Sequence, residues 1–367
     1  MFHCPEIVTE VRGQVGFITL NRPQALNALT LPMVRALSSA LLCWQDAPEV
    51  SAVAIRGMGR QGPFGTFCAG GDIRFFHQAA KTGDPQLEDF FTEEYALNHL
   101  IFCYPKPYIA FMDGIDMGGG MGISQGASTR IVTERSRLGM PETHIGLFPD
   151  VGGGYFLSRL EGSLGEWLGL TGESLDAAQS LTMGLADVYF EAASLTAAWD
   201  ALAGIDFSDA GALQRWSATF SGAIKPDLTR DRTLIDQFFS LDSALAIIHA
   251  LEADEGPWAR HTASVLRTCS PIMLEVVLQQ IRRARLMTLA DVLRMERDMV
   301  RHCFFARHLG RSGTQTETAE GIRALAVDKD RQPRWIPARI EEVTPETVAP
   351  FFESPWPGHA HPLRDLR

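Results

Sequence analysis

The sequence holds no Cys-x-x-Cys pair, no long apolar run and no surplus of positive charge. Its six cysteines (Cys4, Cys43, Cys68, Cys103, Cys269, Cys303) are scattered, so neither metal-ligand spacing nor a dense disulfide framework is present. Reduced thiols in a cytosolic compartment are expected. No stretch approaches the roughly eighteen apolar residues of a spanning helix, so no membrane partner is expected. The net charge of −11, from 33 Lys+Arg against 44 Asp+Glu, argues against nucleic acid or an anionic membrane as partner. A local basic patch for an anionic small molecule is still compatible with that charge. The opening MFHCPEIVTEVRG lacks the Arg-rich, acid-poor look of a transit peptide, so a mitochondrial matrix protein would here be in its mature form. A dinucleotide fingerprint is also missing: after Gly118 and Gly120 the third glycine falls on Ile123. No G-K-[ST] follows, which removes the P-loop, and a nicotinamide oxidoreductase is disfavoured.

What remains is the composition of an ordinary globular protein, 46% apolar and 21% charged over 367 residues, enough for one large domain and a smaller one. Ile7 to Val11 and Gln14 to Leu20 flank Arg12-Gly13 and predict a hairpin. Thr30, followed by Pro32, predicts the start of a helix through Met33, Leu37 and Leu41. SAVAIR (51–56), YIAFM (108–112) and Ile131 to Thr133 read as short strands. Strands alternating with helical patterns give an α/β fold class. Beyond about Ala201 the helical period takes over, in Leu234–Phe239, Ala244–Leu251, Ile272–Arg285 and Leu289–His302. The expected division is a core over 1–200 and a mainly helical portion over 201–367, with the Pro- and Glu-rich tail from Trp335 extended or peripheral.

Three glycine-bearing segments carry the chemistry. FCAGGDIR (67–74) combines two glycines with Asp72, a cap for a helix beginning near Ile73. DGIDMGGGMGIS (113–124) follows a strand and opens a helix, an arrangement that offers free N–H groups to an oxyanion, or that simply packs a helix tightly on a sheet. MPETHIGLFPDVGGGYF (140–156) holds Glu142 and Asp150 eight positions apart, with Gly146 and Pro149 between them breaking any continuous helix. A helical turn from Pro141, a loop and a new helix near Val151 are expected. On that reading Asp150 is an N-cap and Glu142 a first-turn acid, and each is as compatible with structure as with catalysis.

In this order, and together with FITLNRPQALNAL (17–29), the segments resemble the crotonase (enoyl-CoA hydratase/isomerase) superfamily. The resemblance is specific over residues 15–160. Within the superfamily the MPETxIGLFPDVGGGYFL block, GGGMG and the late EGIRALAVDKDRQPRW (320–335) are most similar to the branch that hydrolyses 3-hydroxyisobutyryl-CoA in valine breakdown. The resemblance implies a crotonase-like spiral of ββα units with a helical C-terminal portion. It also implies an oxyanion hole from the N–H groups of Gly71 and Gly119. Classical hydratases carry a glutamate where Gly122 stands, paired with a second on the next loop; only Glu142 remains here, so two-carboxylate hydration is not expected. In the hydrolase branch Glu142, Asp150 and Glu94 (of FTEEY) are all matched. The resemblance thus implies Glu142 as nucleophile or general base at C1, Asp150 at the 3-hydroxyl or as acid/base partner, and Glu94 lining the acyl pocket. It implies no cofactor and no metal, an acyl-CoA substrate of which CoA is a part, and a homo-oligomer as one possible assembly. The alternatives are an enoyl-CoA hydratase or isomerase and a non-catalytic acyl-CoA-binding relative.

Other residues invite weaker readings. His144 is expected to serve position rather than chemistry, and Cys68 to pack. His359-Ala-His361 has no third ligand nearby and is not expected to bind metal. Arg282, Arg283 and Arg285 read as a solvated basic face, with contact to a CoA phosphate as the lesser alternative.

Overall fold

A computed structural model describes residues 4–225 and 232–367. The expected hairpin forms from β1 (Ile7–Arg12) and β2 (Val15–Leu20), antiparallel, with Arg12 opposite Val15. Then come β3 (Ala52–Gly59), β4 (Gly62–Pro63), β5 (Tyr108–Phe111), β6 (Ile115–Met117), β7 (Thr129–Val132), β8 (Arg137–Gly139) and β9 (Val188–Tyr189). The main sheet runs β1-β2-β3-β5-β7-β9, with β4 attached to β3. From β2 to β9 its neighbours are parallel, while β6 and β8 form a separate parallel pair. Parallel order with helical crossovers is the α/β arrangement expected from the sequence.

The chain divides into two compact units, and neither follows a boundary near residue 200. The first comprises Met1–Gly71, Ala96–Gly139 and Ser174–Thr229 and contains every strand named above. Its core follows the two-residue period of strands: Val15 and Phe17, Ala52 and Ala54, Ile109 and Phe111 share one face. Trp199 packs there with its ring centroid 4.8 Å from Phe17 and 5.2 Å from Phe111. Trp216 is buried in the same cluster and donates its indole N–H to the Ala198 carbonyl at 3.0 Å. Burial of these rings, worth about 1.5–3 kcal/mol for a side chain of this kind, keeps the helices Leu195–Ala201 and Ala212–Phe220 with the sheet. That is why the expected cut at 200 fails.

The second unit comprises Asp72–Tyr95, Met140–Glu173 and Arg230–Arg367. It begins with the capped helix Ile73–Thr82, whose Phe75 N–H donates to the Asp72 carboxylate at 3.3 Å. Two long helices, Pro271–Ala284 and Leu289–Phe304, form its spine, each started by a Ser or Thr cap (Ser270, Thr288). The tail is not peripheral, because Trp335, Ile340, Val348, Phe351 and Leu363 are all buried. Arg297 fixes part of it, with its guanidinium 4.7 Å over the Trp356 ring and paired to Glu88. Of the two tail histidines, His361 is buried beside Asp298 (Nε2 to Oδ1 3.3 Å) and His359 is exposed. Among the described residues no helix is long and apolar enough to cross a membrane.

Candidate active site

In the first unit the two glycine segments lie against each other. A Cβ on Gly70, which has a φ of +101°, would come 3.5 Å from the Gly119 nitrogen. The Phe67–Gly71 segment is fastened by neighbours on the Leu26–Leu29 turn. Ala69 N–H donates to the Leu26 carbonyl at 3.0 Å and Leu29 N–H to the Gly70 carbonyl at 2.8 Å. Asn27 is fully buried and donates its amide to the carbonyls of Met58, Thr66 and Phe67, each at 3.0 Å. Gly118, with φ of +53°, caps the short helix Gly119–Ser124, so Gly119 is its first residue and its N–H has no partner in the helix. Neither the Gly71 N–H nor the Gly119 N–H meets an acceptor among the described residues. Two amides without an acceptor thus lie on adjoining segments. Close helix packing falls to Gly120, whose Cβ would stand 2.4 Å from the Cys68 carbonyl oxygen. Cys68 itself is a buried packing residue with its Sγ 3.2 Å from the Asn27 carbonyl.

In the second unit Glu94, Glu142 and Asp150 are all buried. Glu142 opens a 3-10 turn, Glu142–Ile145, closed by Gly146 in the left-handed region, as the Pro141 turn predicts. Glu94 sits on the helix Gln86–Phe102. Burial raises all three carboxyls, Asp150 to about 7. Asp150 and Glu142 push Glu94 up further by like charge, and Asp150 pushes Glu142. One oxygen of Glu94 (Oε1) and one of Glu142 (Oε2) are buried with no partner among the described residues. Buried acceptors left open in this way call for a donor from outside the chain. Among the described residues no group of three or more His, Cys, Asp or Glu is placed to hold a metal ion.

Asp150 does not cap the next helix. That helix is Gly153–Leu157, its N-cap is Gly152, and no side chain of the cap takes part. The Asp150 Oδ2 instead accepts from the Tyr95 hydroxyl at 2.8 Å. Tyr95 was not singled out from the sequence, although it follows Glu94 in FTEEY. Its hydroxyl favours the ionised form of Asp150 and so opposes the effect of burial. Tyr95→Phe is therefore expected to raise the pKa of Asp150 above about 7, read by carbon-13 titration of the labelled carboxyl.

The remaining candidates serve structure. His144 has Nε2 3.0 Å from the Thr171 carbonyl and Nδ1 3.6 Å from Cys269 Sγ, which fits a positional role. The three arginines do not form a free basic face. Arg285 pairs with Glu166 at 2.6 Å, Arg282 donates to the Leu241 carbonyl at 2.6 Å, and Arg283 lies 3.9 Å over the Phe352 ring.

The first unit thus holds two glycine amides without an acceptor, and the second holds three buried carboxyls. Comparison with known proteins gives the family. The profile of the enoyl-CoA hydratase/isomerase family matches residues 15–352, and the chain belongs to that crotonase family. The mitochondrial 3-hydroxyisobutyryl-CoA hydrolase of Rattus norvegicus is 37% identical over 361 residues, covering 95% of this chain and 89% of the relative. The Homo sapiens protein of the same name is 36% identical over 357 residues, with the same coverages. Among solved structures, a carnitinyl-CoA dehydratase from Mycobacterium thermoresistibile superposes with a TM-score of 0.87 at 35% identity, covering 99% of this chain and 100% of that one. An enoyl-CoA hydratase from Rhodobacter sphaeroides 2.4.1 gives 0.85 at 35% identity, covering 95% and 98%.

Proposed function

We propose that the protein hydrolyses acyl-CoA thioesters, with 3-hydroxyisobutyryl-CoA as preferred substrate. One observation carries the reading. Glu142 and Asp150 are buried with Glu94, two of whose group's oxygens await donors, while Gly122 leaves the position of a hydratase's first acid without a carboxylate. The named relatives support the same substrate. In the proposed reaction the thioester oxygen accepts from the Gly71 and Gly119 amides. Glu142 either attacks C1 directly or takes a proton from the water that does. When water attacks, the C1–O bond forms, the C1–S bond breaks, and the proton held by Glu142 passes to the leaving CoA thiolate. When Glu142 attacks, the thiolate leaves an acyl anhydride on Glu142, which water then hydrolyses to the free acid, restoring the carboxylate and supplying the thiolate's proton. Asp150 binds the 3-hydroxyl or exchanges a proton, and Glu94 holds the polar end of the acyl group. Water is the co-reactant, and neither cofactor nor metal is needed.

The two solved structures are of a carnitinyl-CoA dehydratase and an enoyl-CoA hydratase, which makes hydration or dehydration the second reading. A single assay separates them: release of free thiol against loss of the crotonyl-CoA double bond. We expect thiol release from 3-hydroxyisobutyryl-CoA and no hydration of crotonyl-CoA; the reverse pattern would overturn the proposal. Removing the hydroxyl, as in isobutyryl-CoA, leaves buried acceptors unpaired at about 1–3 kcal/mol, so kcat/KM should fall by roughly 10–100-fold. 3-Hydroxypropionyl-CoA differs by one methyl and should be discriminated by about the same amount or less.

A further inference from the structure

The turn that carries Asp150 is held by two side chains from far along the chain. Gly152 N–H donates to Oε2 of Glu296 at 2.7 Å, and Gly154 N–H donates to Oε1 at 2.9 Å. The Gln280 amide donates to that same Oε1 at 3.0 Å and to the Pro149 carbonyl at 2.7 Å. Glu296 is on the helix Leu289–Phe304, Gln280 on Pro271–Ala284, and both are fully buried. The backbone between these anchors is unusual. Val151, a β-branched residue, has φ of +54°, and Gly152 has φ of +87°. A left-handed valine persists only where its surroundings hold it. A side chain on Gly154 would meet both anchors, since its Cβ would lie 3.1 Å from Gln280 Nε2 and 3.1 Å from Glu296 Oε1.

We propose that Glu296 and Gln280 are positioning residues that set the direction of the Asp150 carboxylate and so the rate of the thioester reaction. The inference rests on the function proposed above. Residues 149, 152 and 154 are each held by one of the pair, which fixes the backbone on either side of residue 150 and so the origin from which its carboxylate meets the Tyr95 hydroxyl. Neither residue touches the reacting atoms in this scheme; each acts through Asp150. Other buried titratable groups face the pair from neighbouring elements: Asp150 acts on Glu296, and Glu296 acts on Glu142 and Tyr95.

Two variants separate positioning from bulk structure. Glu296→Gln keeps the shape but presents one oxygen and one NH2 group where three N–H donors converge, so at least one donor loses its acceptor. Gln280→Met removes both donated bonds at similar volume. Each is expected to lower kcat about 100-fold with KM changed by less than about 3-fold, the signature of a misplaced group. The deciding measurement repeats both substitutions in an Asp150→Asn background. If the pair acts through Asp150, the second substitution costs less than about 3-fold there; a full 100-fold loss in both backgrounds overturns the inference. A rate loss fully matched by a smaller folded fraction also overturns it. The proposed function fails separately, if the wild-type protein releases no thiol from any 3-hydroxyacyl-CoA. In that case the Asp150 carboxyl still reports. Its titration should move up in Glu296→Gln as the carboxylate turns from the Tyr95 hydroxyl that favours its ionised form, and an unchanged titration overturns the inference.

Discussion

Glu142→Gln is expected to lower thiol release from 3-hydroxyisobutyryl-CoA by about 1,000-fold, the loss that follows removal of a nucleophile or general base. KM should change little, because the amide has nearly the same shape and can still meet a polar acyl group. The same substitution should stabilise the protein without substrate. Glu142 is raised by burial and by the like charges of Asp150 and Glu296. A carboxyl whose pKa rises on folding contributes stability below its ordinary range near 4 and loses it as pH climbs through the raised value. For Asp150, which reaches about 7, that loss spans the weakly acidic to neutral range, and for Glu142 it runs upward from the ordinary carboxylate range. Glutamine is uncharged throughout, so the variant should gain stability over the wild type at pH 8 and little at pH 4.5. Thermal unfolding at the two pH values checks this. Activity near wild type in the variant would sink the assignment of Glu142, whatever the unfolding shows.

The fold was legible where its signals are local. Arg12-Gly13 gives the hairpin, Thr30 and Asp72 give caps that the backbone then uses, and Pro141 gives the turn that presents Glu142. The boundary near residue 200 was not legible, because Trp199 and Trp216 are assigned to a unit by what they pack against and not by the helical period around them. The anchors of the Asp150 turn are separated from it by 131 residues or more, so no spacing rule joins them. A trace was nonetheless present. On the helix Leu289–Phe304 the buried stripe runs Val292, Leu293, Glu296, Met299, Val300 and Cys303, at the three- and four-residue steps of one helical face. A glutamate in an apolar stripe must have donors waiting for it. Gln280 interrupts the stripe Val276, Val277, Ile281 and Ala284 in the same way. Asp150 misled for a related reason. An Asp before three glycines has the chemistry of a cap, but the Gly152 amide it would cap is taken by Glu296 and the Gly153 amide by the Asp150 backbone carbonyl, and its carboxylate meets Tyr95 instead.

The second large effect is expected from Gly119→Pro. Gly119 is the first residue of its helix, and proline is tolerated there because that N–H has no helical partner and the ring's fixed φ suits the first turn. The substitution therefore deletes one free amide while leaving the helix a normal start. If that amide donates to the thioester oxygen, kcat should fall by about 100–1,000-fold, the usual cost of removing one oxyanion donor. KM should shift far less, since the bond strengthens as charge moves onto the oxygen rather than on binding. Gly119→Ala is the control: it keeps the N–H and adds a methyl, so it separates loss of the donor from added bulk. Single-turnover thiol release with both variants decides the matter. Equal losses in the proline and alanine variants would mean that bulk is responsible and that the amide is no donor. A much larger loss in the proline variant would leave Gly119 as a donor whose whole contribution is one N–H, held free by the way Gly118 starts the helix.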